Sequence, residues 1–405
     1  MDADVIIVGG GLNGPLLSLA LASGGVRAVV LDALPVATRA ATGFDGRAYA
    51  LALASRRMLE ALEVWPAVAG EAQPIFDIRV GDGRPGEGAH PWHVHFDHRE
   101  IEEGPFGHMV EDRVLRPALL ARMEALGIAH HAPVRVVDQR IEASRAVAIL
   151  EDGMEVTGRV LIGCDGRDSA VAARAGIPRT KWGYDQTSLV AAIAHARPHE
   201  GTAHQLFMPS GPLAILPLPG NRSSIVWTEA TARAAEIDGL DDAAYLAELR
   251  PRFGSFLGEI ALAGPRFSYP LGLSLAQRFT GPRLALAGDA AHGIHNLAGQ
   301  GLNLGFRDIA ALAEVLIDAR RRGEDIGQAD VLARYQRWRR FDTTLLAVAT
   351  DTINRVFSND NPLLRIARDA ALGLVGASDG ARRGFMREAA GLTGTLPRLL
   401  QGRAI

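Results

Sequence analysis

A carboxylate and a run of glycines near residue 290 are the groups in this sequence best placed to do chemistry. Leu284 to Ala287 reads as an apolar strand running straight into Gly288-Asp289; after a Gly-rich turn, Gly301 opens an amphipathic helix. An ionised carboxylate at a strand's end accepts strong charge-assisted hydrogen bonds from hydroxyls. The first N–H groups of a helix lack intrahelical partners and carry the positive end of its dipole. The combination suits a ligand with a polyol and a part that becomes anionic, as reduced flavin has in its ribityl chain and its N1–O2 edge. Without such a ligand the same residues make an ordinary strand, tight turn and helix.

Two further stretches carry related signals. Val5 to Val8 is a short apolar run followed by Gly9, Gly11 and Gly14 in the spacing G-x-G-x-x-G. The first glycine permits a tight turn, the second admits a pyrophosphate to the backbone, and the third lets helix and strand pack closely. Pro15 falls in the first helical turn, where a missing N–H costs nothing, and Gly24-Gly25 end that helix. A second strand, Ala28 to Leu31, delivers Asp32, an acceptor for adenosine ribose hydroxyls. This order specifies a dinucleotide but leaves NAD and FAD unseparated. Val160 to Gly163 reads as another buried strand, ending in Cys164-Asp165-Gly166.

With all three stretches present, the chain resembles the FAD-dependent aromatic hydroxylases, the group A flavin monooxygenases. That family pairs an N-terminal G-x-G-x-x-G with a central D-G segment and a later G-D segment, and the resemblance covers nearly the whole chain. The runs at 288–308, 334–342 and 357–365 look most like its ubiquinone-biosynthesis hydroxylases. The resemblance implies an α/β protein of the para-hydroxybenzoate-hydroxylase kind: a Rossmann-like FAD-binding domain, an inserted antiparallel-sheet substrate domain and C-terminal helices. Gly9, Gly11, Gly14 and Asp32 would hold the ADP half of FAD. Arg47 and Arg113 match family arginines near the cofactor, although a solvated or salt-bridged arginine explains each equally well. Asp165 and Gly166 form the D-G segment, Gly288 and Asp289 would meet the ribityl hydroxyls, and Gly299, Gln300, Gly301, Leu302 and Asn303 would place backbone donors beside the isoalloxazine.

The resemblance further implies hydroxylation of the aromatic ring of a polyprenylated ubiquinone precursor by molecular oxygen, through a flavin C4a-hydroperoxide kept from water. Two alternatives stay open: another aromatic or isoprenoid substrate, and a non-catalytic FAD-binding subunit in an assembly of ubiquinone-biosynthesis proteins. No second nucleotide-binding domain is visible, so electrons would come from NAD(P)H visiting the same cleft or from a separate reductase. His295 and Asn296 stand in the loop expected at the flavin's reacting face, and are the candidate catalytic residues. The family usually has proline where this chain has Asn296, so the fixed φ is lost and a polar side chain gained; a tuned pocket and a drifted position both fit. Ala172 departs too, from an arginine common in the D-G segment. His292 is expected to support the loop.

The surrounding elements must position these groups. The chain has 405 residues, 48% hydrophobic and 22% charged, with a net charge of −3, enough for two domains with substantial cores and without a basic excess for nucleic acid. Its single cysteine, Cys164, cannot form an internal disulfide and reads as a packed, inert thiol in a reducing compartment. No window offers the ~18 uninterrupted apolar residues of a membrane span, and the N-terminus lacks the basic region of a signal peptide. The expected setting is the cytoplasm, with peripheral contact at the inner face of the membrane if the substrate is polyprenylated. The FAD domain is expected to use roughly 1–72, 100–180 and 276–330, the substrate domain about 73–99 and 181–275, read as strands, and a helical region about 331–405. His90, His93, His95 and His98 lie close together, but no acidic or thiolate framework accompanies them and no metal site is expected. Leu363, Leu364, Ile366, Ala367, Leu372, Leu374 and Val375 interleave with Arg365 and Arg368, which suits either a helix lying on a membrane surface or one packed on the FAD domain.

Overall fold

Val5–Val8 is apolar at every position and buried at every position, because it lies inside a sheet covered on both faces. It pairs in parallel with Ala28–Leu31 on one side and Val160–Gly163 on the other. Leu284–Leu286 and Ala129–His131 extend the sheet in parallel, and Thr280–Gly281 closes one edge antiparallel. This is the computed structural model of the chain, and it describes residues 1–86, 93–294, 299–358, 373–375 and 377–405. The pairing aligns Leu31, Val8, Gly163 and Leu286 in one row. The turns after these four strands therefore leave the sheet together, at its carboxyl edge.

Helices α1 (Asn13–Ser23), α2 (Gln300–Arg321), α3 (Ala329–Phe357) and α4 (Asp379–Ala389) matter most for the site. Gly24, just past α1, lets α2 close in: a Cβ there would stand 2.4 Å from Ile317. Next to α3, the chain end returns to α2, where the Arg398 N–H donates to Glu314 at 2.7 Å and Arg321 donates to the Ile405 carbonyl at 2.9 Å. The basic and apolar run from Leu363 to Leu372 lies outside the described residues; Leu374 is described, and is exposed. Among the described residues no helix is long and apolar enough to cross a membrane.

The second large sheet is antiparallel around Arg179–His195, flanked by Arg222–Ala230 and Phe267–Ala276. Gly211–Leu218 and Thr202–Met208 continue it, and Asp77–Asp82 then joins in parallel with His93–Asp97 beyond. Its outer face carries Leu189, Ile225 and Trp227 into a core completed by two helices, Thr231–Asp238 and Asp242–Phe253. These helices correct the expectation that 181–275 is all strand. The first is Ala-rich, and Asp241 caps the second by accepting the Ala244 N–H at 2.8 Å. A third, small sheet joins Ala48–Ala52, Gly107–Glu111 and Gln73–Ile75. It carries Arg47 and Tyr49 to the space between the two larger sheets.

His108 in that small sheet gives the fold an acid-sensitive point. Burial, reinforced by the charge of Arg56, pushes its pKa from 6.5 down to about 4. Its ring meets Trp65 edge-on at 5.0 Å and its Nδ1 has no partner. A base whose folded pKa is depressed stabilises the fold fully above its unfolded pKa and loses that contribution as pH falls towards the folded value. Stability is therefore expected to drop between pH 6.5 and 4, with His108 contributing roughly 2–3 kcal/mol. Urea unfolding of His108→Phe across that range should show a shallower slope than wild type; an unchanged slope would exclude His108 as a source.

Candidate cofactor and substrate site

The strand ends aligned in the first sheet build the nucleotide end of the site. Gly9 turns at φ +113°, and a Cβ there would stand 2.4 Å from the Cys164 carbonyl; Gly14 allows α1 to approach so closely that a Cβ would stand 1.9 Å from the Gly9 carbonyl. Gly11, by contrast, has nothing within 4 Å of its missing side chain and faces a cavity of about 660 Å³. Asp32 lines the same cavity and receives two bonds from Arg39, at 2.8 and 2.9 Å, and one from the Leu34 N–H at 3.2 Å. Burial opposes its charge, but Arg39 and the Leu34 N–H outweigh it and hold the pKa below the ordinary carboxylate range. Asp165 also lines the cavity, yet its oxygens accept from Ser169 at 2.5 Å and the Val171 N–H at 3.0 Å, so it braces the next helix.

Gly11, Cys164 and Gly166 also line an adjoining cleft of about 420 Å³. Asp289 projects here from the end of Leu284–Leu286, with no hydrogen bond from its carboxylate to any described residue. Crowding by protein raises its pKa, against the pull of His292, Arg167 and Arg179. Gly288 before it turns at φ +62°, and a Cβ would run into Asn13 at 2.0 Å. On the far wall, Gly299, Gly301 and Leu302 present the start of α2, with Gly299 left-handed. The opposite wall is the large sheet, through Ala214, Leu216, Ser224, Val226 and Tyr269. Cys164 lies at the back, where burial pushes its thiol pKa far up, beyond the reach of thiolate chemistry.

Not every residue singled out from the sequence faces this cleft. Gln300 lines a neighbouring apolar cavity. Asn303 is buried, and its side chain ties α2 to Ala48–Ala52: Oδ1 accepts from the Ala52 N–H at 2.9 Å and Ser55 at 2.8 Å, while Nδ2 donates to the Ala50 carbonyl at 2.8 Å. Arg113 lines neither cleft nor nucleotide cavity; it bonds Glu111 at 2.5 Å and lies over Phe44. Arg116, one turn further along, lines the cleft instead, locked onto Asp112 at 2.7 and 3.0 Å. Arg47 reaches the cleft while paired with Asp45 at 2.7 Å. His295 and Asn296 lie outside the described residues, as does His90. His95 bonds Asp77 at 2.5 Å and His98 bonds the Phe76 carbonyl at 3.0 Å.

Arg39, Arg116 and Tyr49 were not singled out from sequence. Arg116 carried a signal, being three residues beyond Arg113 on one helix face; Arg39 and Tyr49 carried none. Beneath Asp289 sits a buried cluster of which sequence reading singled out His292 alone, as a support for the loop. Asp308 of α2 accepts from the Gly288 N–H at 3.0 Å, from Arg339 of α3 at 2.9 Å and from His292 Nε2. All three side chains are at most 2% exposed. Burial alone would raise the Asp308 pKa, but His292 and Arg339 overrule it and keep it ionised.

The residues present fit FAD. Gly11, Gly166 and Gly301 leave open space where side chains would stand, and among the described residues Asn13 Oδ1, buried at the cleft wall, and the Asp289 carboxylate find no hydrogen-bond partner. A parallel sheet with a glycine-cradled dinucleotide cavity, facing an antiparallel sheet across a ring-sized cleft, defines an FAD-dependent aromatic hydroxylase. A family model described as "FAD binding domain" matches residues 2–344. Ubiquinone hydroxylase UbiL of Rhodospirillum rubrum is 45% identical over 404 residues, covering 99% of this chain and 93% of that one. The 3-demethoxyubiquinol 3-hydroxylase of Escherichia coli is 36% identical over 383 residues, covering 92% and 94%. Among solved structures, p-nitrophenol 4-monooxygenase PnpA from Pseudomonas putida superposes with a TM-score of 0.79 at 20% identity, covering 97% of this chain and 98% of that one. The chain belongs to the ubiquinone-hydroxylase family of FAD-dependent monooxygenases.

Proposed function

We propose that this enzyme hydroxylates the aromatic ring of a polyprenylated ubiquinone precursor with molecular oxygen. The observation that carries the proposal is Asp289, its carboxylate without a hydrogen-bond partner among the described residues, beside the start of α2 and facing the large sheet across one cleft. FAD, when bound, supplies the oxygen chemistry. The chain's own residues bind and orient it. Gly9, Gly11 and Gly14 make room for the pyrophosphate, Asp32 accepts from the adenosine ribose, and Asp289 accepts from the ribityl hydroxyls. The backbone donors at Gly301 and Leu302 favour negative charge at the flavin's N1–O2 edge. Arg47 and Arg116 line the same cleft, paired with Asp45 and Asp112, and Val190, Ala214 and Val226 keep water from the ring face.

Electrons come from NAD(P)H or a separate reductase. A membrane-surface contact is part of the proposal, since so apolar a substrate resides in lipid. Phe341, Leu345 and Val348 support it, forming an exposed apolar face on α3 beside the exposed Arg337 and Arg340. The test is to mix photoreduced holoenzyme with heavy-isotope dioxygen and a farnesylated methoxyphenol. Labelled oxygen in the ring is expected; labelled hydrogen peroxide with no ring product would reject the reading.

A further inference from the structure

Next to the flavin cleft lies a cavity of about 210 Å³ whose lining, among the described residues, contains no aspartate, glutamate, lysine or arginine. Ala50 and Leu216 line both spaces, so the two are adjacent. Ile78, Phe96 and Phe106 line it together with Phe385, Met386 and Ala389 of α4. Among the described residues, three of the lining are polar: His204, Gln205 and Gln300. Burial pushes the His204 pKa down to about 4, so it is uncharged at neutral pH, and its ring packs on Phe256 at 4.5 Å. Such a lining rejects a charged or strongly hydrated group and accepts hydrocarbon.

The α4 side of this lining is held by discrete ties. Arg382 of α4 makes a two-pronged pair with Glu100, at 2.9 and 3.0 Å. Glu103 binds Arg57 at 2.6 Å and stands 3.6 Å from Arg387. The Ala54 N–H donates to the Ala390 carbonyl at 3.1 Å. Phe385 lines the cavity and is also 55% exposed, so the cavity reaches the surface beside it. Ala203, from the large sheet, and Ala389, from α4, are small side chains in the lining.

We propose that this cavity is a chain-binding compartment of the substrate site. It takes the neutral hydrocarbon chain attached to the ring in the cleft, which passes out beside Phe385, and Ala203 and Ala389 set its bore. The proposal rests on the prenylated-phenol reading above and adds to it the residues that select the chain. α4 is then the specificity wall of the enzyme. Each methylene buried there strengthens binding roughly fourfold, so chain length is read as affinity.

The test uses FAD-loaded enzyme, wild type and Ala389→Trp, with farnesol as a ring-free probe and two phenols, one farnesylated and one methylated. Calorimetric titration of wild type should show saturable farnesol binding, weakened about tenfold or more in Ala389→Trp. The ratio of kcat/KM for the farnesylated over the methylated phenol should fall at least about tenfold in the variant. Equal farnesol affinity in the two proteins, or an equal loss on both phenols, would overturn the proposal. Should the variant fail to hold FAD, wild type alone decides: farnesol should raise KM for the farnesylated phenol and not for the methylated one, and competition with both or neither refutes the compartment. If wild type turns over neither phenol while farnesol still binds and Ala389→Trp still weakens it, the substrate reading fails and the hydrocarbon compartment stands.

Discussion

Asp308→Ala is expected to cost about 3–5 kcal/mol of unfolding free energy, the range for removing one partner of a buried ion pair. Asp308 accepts from the Gly288 N–H, Arg339 and His292, and none of the three side chains is more than 2% exposed. Alanine would strand the Arg339 guanidinium in the interior, with Asp342 at 3.0 Å its one remaining carboxylate among the described residues. Asp308→Asn keeps the shape and the acceptor for Gly288 but not the charge, and should fall between alanine and wild type. Urea unfolding of the apoprotein checks this without the mass-action contribution of bound flavin. A loss below about 1 kcal/mol for the alanine variant would show that the cluster is not a stabilising core. Because His292 and Arg339 hold Asp308 below the ordinary carboxylate range, its contribution persists above about pH 4 and is lost only as pH falls through the depressed value. The histidine and aspartate windows are therefore separate in a pH series.

Asp289→Ala should have the complementary phenotype. Its carboxylate bonds no described residue and faces the cleft, so the apoprotein should unfold as wild type does, within about 0.5 kcal/mol. A hydrogen bond to a charged acceptor is worth about 1.5–3 kcal/mol, and losing one from the ribityl chain raises the FAD Kd roughly 10- to 150-fold. Fluorescence titration of apoprotein with FAD reads this directly. An unchanged Kd would remove Asp289 from the flavin site, and a large loss of apoprotein stability would assign it to the fold. The two aspartates lie at opposite ends of one motif, and nothing in their local sequence says which serves the ligand and which the fold.

That difficulty marks where sequence reading stopped. The glycines were legible because their constraint is local and steric: Gly9 and Gly14 each stand where any Cβ would overlap backbone. The three strand–turn segments were legible because short apolar runs ending in Gly or Asp seldom have another purpose, and their convergence follows from the aligned register of four parallel strands. Arg113 against Arg116 was not, since a helix start fixes its rotation about the axis only to within a residue or so. Gln300 and Asn303 were legible as members of the α2 start, but their side chains answer to Ala52, Ser55 and an apolar cavity contributed by distant segments. The helices of 231–253 were obscured by the strong strand signals on either side. The Asp308–Arg339 pair depends on how α2 meets α3, which no local pattern encodes.

The Arg339 contact has a practical corollary for anyone dissecting the chain. A fragment ending before α3 would keep every side chain proposed to touch FAD, yet it would leave the buried Asp308 carboxylate with His292 and the Gly288 N–H but without its guanidinium partner. Shortened versions intended as minimal flavin carriers should accordingly extend past Asp342, which shares that guanidinium.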